Sequence, residues 1–204
     1  MSFAWVLALP CGQRVVTCAG PVFGFRESSY RSEGYGVLSA VRFVYHLFQF
    51  CGCAPQWRYE YMADNKGLLT ALLQDSQYVE AFPNTTLEAD WDIRNEIKET
   101  LKLIGRPNSF SHVKGHQDEG HSVESLDLPA QLNVEADREA NAFRATYPAH
   151  RPLVPRLGHN KAQLHIGGRT INGKYRSEIR MAKSEGPLRA HIMRKYLWTD
   201  AQME

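Results

Sequence analysis

Glu33, Asp64 and Asp137 are the side chains best placed to do chemistry, because each falls where a rigid element would aim it. The local pattern puts Glu33 in the first turn of a helix, Asp64 at the carboxyl end of a strand, and Asp137 inside an otherwise amphipathic helix. Asn133, Asp137 and Asn141 recur every four residues and so share one helix face. Clustered carboxylates offer the hard oxygen ligands that Mg²⁺ selects, and paired carboxylates also serve acid–base catalysis. Each acid alone has a plainer reading: compensation of the helix dipole for Glu33, a turn for Asp64, a solvated position for Asp137. Cys11, Cys18, Cys51 and Cys53 offer no rival metal chemistry, since the Cys51/Cys53 pair lacks a matching second pair. They read as idle thiols of a reducing compartment.

Positioning these acids requires several elements. Residues 3–9 and 13–19 read as a hairpin turned by Pro10, Cys11 and Gly12. Ser32 is the expected cap of a helix with apolar Val37, Val41, Val44 and Phe48, ended by Gly52 and Pro55. Alternating aromatics over 57–63 predict a strand, stopped at Asp64 and Asn65 before a helical run over 68–73. A helix over 87–104 ends at Gly105 and Pro107, and 109–113 is a short strand. After a loop over 115–127, Asp127 caps a helix with Pro129 as its first residue, a buried stripe of Leu132, Ala136, Ala140 and Phe143, and an end near Tyr147. Pro148, Pro152 and Pro155 mark a linker. Beyond it, 164–171 reads as a hairpin around Gly167 and Gly168, and 173–198 as a basic helix broken at Gly186 and Pro187.

The order of these motifs resembles the type 1 ribonuclease H family. A helix-borne Glu33, Asp64 at a strand end followed by a helix, the segment Val113-Lys114-Gly115-His116, and Asn133-x-x-x-Asp137 follow that family's sequence of motifs. The wording around Arg31-Ser32-Glu33-Gly34-Tyr35, Ala63-Asp64-Asn65-Lys66-Gly67 and His112 to Asp118 is most similar to ribonuclease H domains of retrotransposon polyproteins. The resemblance implies an α/β fold with a mixed sheet flanked by helices over 1–147. It further implies hydrolysis of the RNA strand of RNA–DNA hybrids with two Mg²⁺ ions, or Mn²⁺ in their place, and a parent polyprotein with an upstream reverse transcriptase. By match, Glu33, Asp64 and Asp137 would be catalytic metal ligands, and His116 would assist proton transfer or product release. Asn65 would face nucleic acid; Lys114 would be a structural residue or a phosphate contact. His112, His121, His150, His159, His165 and His191 have no motif support and read as ordinary surface or loop residues.

One part of the pattern is missing. The family carries a fourth carboxylate, an Asp on a central first strand, and residues 3–9 and 13–19 correspond to its second and third strands. Glu27, the only other acid before Glu33, is a poor substitute. Losing a central strand would leave a gap of about 9–10 Å between unpaired neighbours. Either residues 3–9 close onto 57–62, or another polypeptide segment supplies the strand. The expectation is a truncated element protein, impaired as a nuclease.

Composition divides the chain in two. Its 204 residues, 43% hydrophobic and 23% charged, suit one soluble domain with an appendage, and exclude a disordered tail or a stapled miniprotein. The net charge of +2 hides 13 Lys and Arg against 18 Asp and Glu in 1–147, and 11 against 4 in 148–204. A linker over 148–160 thus leads into a small basic extension over 161–204. There Arg176, Arg180 and Lys183 are candidate nucleic-acid contacts, among cations interleaved with Tyr175, Tyr196 and Trp198. A solvated helix packed through Ile179, Leu188, Ile192 and Leu197 explains the same residues. The alternative function is therefore a non-catalytic nucleic-acid-binding remnant; a transposase- or exonuclease-like sibling arranges its carboxylates differently. The apolar start at residues 3–9 lacks a basic flank and stops at Pro10, so a secretory signal is not expected there. With no run near the ~18 apolar residues a membrane helix needs, an intracellular site, cytoplasm or nucleus, is expected.

Overall fold

A computed structural model describes residues 1–24, 28–52, 58–76, 88–105, 108–147, 156–159 and 163–197. The expectations at Glu27, Pro55, Trp57, Leu87, Pro107, the prolines at 148, 152 and 155, His150 and Trp198 lie outside these residues.

The N-terminal hairpin forms as its β-branched and aromatic alternation requires. Strand β1 (Ser2–Ala8) pairs antiparallel with β2 (Arg14–Pro21), and the turn is closed by Gly12 in the left-handed region, with φ 87°. Helix α1 (Ser29–Cys51) follows, but its cap is Ser28, whose side chain accepts from the Arg31 N–H at 3.1 Å. Ser32 is already inside the helix, its N–H bonded to the Ser28 carbonyl. Glu33 therefore sits in the second turn, not the first, and dipole compensation does not explain it. Val37, Leu38, Val41, Val44 and Phe48 form the buried stripe of α1, and Gly52 ends the helix in the left-handed conformation.

Strand β3 (Tyr59–Ala63) pairs parallel with β4 (Asn108–His112), a connection that needs a long crossover. That crossover contains α2 (Lys66–Ser76) and α3 (Trp91–Ile104). Asn65 caps α2 by accepting from the Leu68 N–H at 3.0 Å. Helix α3 packs on α1, where a Cβ at Gly34 would lie 3.0 Å from Ile93 Cγ2, so the two helices approach closely only because position 34 has no side chain. Val22, Val37, Leu38, Val41, Leu68, Leu72, Ile93 and Ile97 make up much of the core between them.

Helix α4 (Leu128–Thr146) is capped by Asp127, which accepts from the Ala130 N–H at 2.9 Å, and Pro129 is its second residue. It lies across β1 and β2. Its fully buried residues are Ala130 and Val134. The expected stripe Leu132, Ala136 and Ala140 is only half-buried, because it faces a cavity rather than packed atoms.

Among the described residues the strands form three separate two-stranded sheets: β1 with β2, β3 with β4, and β5 (Leu164–Ile166) with β6 (Arg169–Ile171). Between β1 and β3 there is no hydrogen-bonded pairing; instead both line one slot of about 380 Å³. Among the described residues, β1 therefore does not close onto β3. Helix α1 contributes Gly36, Val37, Ala40, Phe43 and Val44 to the slot, and α4 contributes Leu132, Ala136 and Ala140.

The C-terminal extension is fastened to the body. Leu157 is buried in the core, the His159 N–H and ring bond the Glu96 carboxylate at 2.8 and 3.2 Å, and Asn172 donates to Asp90 at 3.1 Å. Helix α5 (Tyr175–Tyr196) then runs without a break through Pro187, unlike the expected interruption at Gly186 and Pro187. Residues 181–188 are all exposed, so the bend a proline imposes meets no packing, and the Lys183 carbonyl left without its N–H partner faces solvent. Ile179, Leu188 and Leu197 are exposed and do not pack the helix. Among the described residues no helix is long and apolar enough to cross a membrane.

Candidate active site

Three elements bring the sequence-selected acids together at the slot. Helix α1 carries Glu33 and α4 carries Asn133, Asp137 and Asn141, all lining it, while Asp64 follows directly on β3. Burial pushes the Glu33 carboxyl up to about 7, and the charges of Asp64 and Asp137 and a hydrogen bond to Asp64 add to the rise. A hydrogen bond between two carboxyl groups needs a proton, and the raised Glu33 carboxyl supplies it. Asp137 is also raised, by burial first and then by Asp64 and Asp118, while His116 pulls it down. Four residues singled out from sequence, Glu33, Asp64, His116 and Asp137, thus act on one another electrostatically.

Local backbone geometry accounts for the positions of Asp64 and His116. A Cβ at Gly115 would lie 2.6 Å from Asp64 Oδ2, so the loop after β4 passes the carboxylate only with glycine there. His116 next to it has φ 53°, a conformation that costs a non-glycine residue about 1–3 kcal/mol and marks functional loops. His112 has a role the sequence did not suggest: its Nε2 bonds the Asp64 backbone carbonyl at 3.0 Å, and the Val113 N–H bonds the Ala63 carbonyl at 3.1 Å. Together they tie the end of β3 to the end of β4. Lys114 is exposed on the same loop, and its carbonyl accepts from Gln117. The side-chain oxygen of Asn65 is committed to the α2 cap.

The acids do not form a finished cage. Among the described residues no three His, Cys, Asp or Glu side chains are grouped so as to hold a metal ion. The side-chain nitrogen of Asn133 is buried without a hydrogen-bond partner, and so is the hydroxyl of Tyr59, both residues that line the slot. Both are donors with nothing to donate to, a state costing about 1–3 kcal/mol each.

The start of α1 is anchored by a buried guanidinium. Arg31 is completely buried and pairs with Asp90 at 2.7 Å and Asp92 at 2.8 Å; it also donates to the Phe23 carbonyl and lies 5.3 Å from the centre of the Tyr35 ring. Burial acts against its charge, but the bonds to Asp92 and Asp90 outweigh it and hold the group more firmly protonated than usual. Because Asp90 and Asp92 flank the first residue of α3, this network fixes the α1 turn that carries Glu33. The two acids around Trp91 were the available sequence signal; nothing in the local pattern linked them to Arg31.

Arg176, Arg180 and Lys183 lie on α5, which contributes nothing to the slot. All three are exposed, and with His191 and Arg194 their spacing puts them along one helix face. Comparison of the chain with protein-family models, with curated proteins and with solved structures returns no match.

Proposed function

We propose that residues 1–147 are an incomplete ribonuclease H-type domain of a retroelement polyprotein, built to hydrolyse the RNA strand of RNA–DNA hybrids and impaired as it stands. The observation that carries this reading is the coupling of Glu33 to Asp64 and Asp137 beside an open slot between two strand edges. Its donor set suits hard divalent cations: three carboxylates, no thiol, and mutual repulsion that a cation would relieve. Glu33, Asp64 and Asp137 would hold Mg²⁺ or Mn²⁺, which when bound would activate water and stabilise the leaving oxygen. The open grouping of the acids fits a missing fourth carboxylate, expected on a strand that would fill the slot. His116, exposed and close enough to lower the Asp137 pKa, would assist proton transfer or product release. Lys114, exposed beside it, is available to a phosphate. A hybrid substrate implies an intracellular site, in cytoplasm or nucleus, and a reverse transcriptase as the parent's upstream partner. The test is cleavage of a labelled hybrid by residues 1–204 with Mg²⁺. Feeble or absent cleavage is expected; robust cleavage abolished by Asp137→Asn would overturn the impairment.

A second reading, a non-catalytic nucleic-acid-binding remnant, is favoured by one observation: the exposed row Arg176, Arg180 and Lys183 on α5. Replacing all three by Ala should flatten the salt dependence of nucleic-acid binding, with the slope falling by about 2–3 for three lost phosphate contacts. Deleting residues 148–204 would be a poorer test, because it removes the buried Leu157 and Asn172.

A further inference from the structure

We infer that Arg144 is a phosphate-binding residue of the site, holding the substrate strand at a second phosphate, apart from the one that meets the acids. The inference rests on the ribonuclease reading above and adds to it a residue that aligns the strand on the acids.

Among the described residues Arg144 is the only Lys or Arg that lines the slot, which it shares with Glu33, Asp137 and Asn141. Seven residues, two helical turns, separate it from Asp137, so both side chains leave the same face of α4. Its Nη2 donates to Asn141 Oδ1 at 3.0 Å, which draws the guanidinium back toward Asp137. One turn earlier, Ser2 Oγ donates to the Ala140 carbonyl at 2.6 Å and fixes this end of α4 against β1.

Arg144 differs from the other arginines of the body in how its charge is met. Arg14 is paired with Glu135, Arg31 with Asp90 and Asp92, and Arg42 with Glu96. Arg144 has no carboxylate partner among the described residues, and its hydrogen bond goes to a neutral amide. The side chain is exposed, and a guanidinium bonded to one acceptor has donors left for an anion. Its place in the last turn of α4 suits a cation through the helix dipole, but the dipole does not require that the cation line the slot.

An unneutralised guanidinium two turns from a carboxylate cluster matches a ligand whose negative charges are spaced along a chain. Seven residues of helix span about 10 Å and four span about 6 Å, so a guanidinium folded back onto Asn141 stands about 6–10 Å along the axis from Asp137. A strand lying on this face, rising about 3.4 Å per nucleotide, covers that distance in about two or three nucleotides. The acids alone repel phosphate; divalent cations on them would draw one phosphate in, and Arg144 would meet another further along the same strand.

The experiment titrates the full chain into a fluorescein-labelled RNA–DNA hybrid with Mg²⁺, read by anisotropy. Arg144→Ala should weaken binding about tenfold and lower the slope of log affinity against log salt by about 1, as one lost phosphate contact requires. Arg144→Lys should keep the slope, whereas a role confined to the helix dipole would move stability and leave the slope alone. Asn141→Ala, which keeps the charge but releases it, should weaken binding about two- to threefold at unchanged slope. In EDTA, or on an Asp137→Asn background, the effect of Arg144→Ala should shrink to about twofold, because the two contacts to one strand act together. Equal binding by Arg144→Ala, a loss without change of slope, a loss of the same size in EDTA, or no hybrid binding by the parent up to about millimolar chain would overturn the inference. Failure of the ribonuclease reading is seen elsewhere: a chain extended upstream by an Asp-bearing strand that leaves the hybrid intact strikes that reading, even where binding follows Arg144 as expected.

Discussion

Gly115 and Asp64 touch in a way that no other residue at position 115 would permit: an added Cβ would stand 2.6 Å from Asp64 Oδ2. The obstructing atom is the end of a short side chain, so Gly115→Ala should cost less than about 1 kcal/mol in stability while rotating the Asp64 carboxylate away from Glu33. Carboxyl titration by NMR should then find Glu33 below its value of about 7 in the parent chain but still raised, because burial, the larger cause of the rise, remains. An unchanged Glu33 titration in a folded Gly115→Ala variant would show that the two acids are not coupled through this contact.

The raised Glu33 pKa also sets a pH dependence. A carboxyl of ordinary pKa 4.5 held at about 7 in the folded state favours folding in its protonated form. Stability is therefore fullest below about pH 4.5 as far as this group is concerned, and is lost as pH rises through 7; Asp137, shifted the same way, adds to the trend. The loss from Glu33 should be about 2 kcal/mol after allowance for solvent at its half-buried position. Urea denaturation of the parent and of Glu33→Gln at pH 5 and pH 8 measures it. The variant should be the more stable of the two at pH 8 and should show the flatter profile.

Removing the Arg31 guanidinium leaves Asp90 and Asp92 facing each other without a cation. Arg31→Met should destabilise the chain by about 3–5 kcal/mol. Arg31→Lys should recover only part of this, since one ammonium cannot reproduce the forked contacts to two carboxylates. Asn172→Ala, which removes the bond from the extension to Asp90, should cost about 1 kcal/mol and speed hydrogen exchange at Thr170 and Ile171. Equal exchange in parent and variant would mean that Asn172 does not hold the hairpin in place.

Local rules made much of this architecture legible in the sequence. The β1–β2 hairpin, the Asp127 cap and the Gly167-Gly168 turn all follow from residues within a few positions of one another. Glu33, Asp64, His116 and Asp137 were legible for the same reason, each marked by its local element. What was not legible depends on distant partners. The stripe Leu132, Ala136 and Ala140 has the period of a buried face, and periodicity cannot reveal that the space opposite is open. Ser28 and Ser32 both suit a cap, and selection of Ser28 accompanies the burial of Arg31 against acids some sixty residues away. His159 is exposed, as a surface residue should be, but its bonds to Glu96 join positions far apart in the chain and carry no local signal.

Hybrid cleavage after the slot is given its strand tests the central claim most directly. An Asp-bearing strand is fused upstream of Met1, and cleavage of a labelled RNA–DNA hybrid is followed with Mg²⁺ beside the unextended chain. The expected result is cleavage of the RNA strand alone by the extended chain, lost with Asp137→Asn and near zero without the extension. A folded, extended chain with the slot filled and Mg²⁺ present that still leaves the hybrid intact would contradict it.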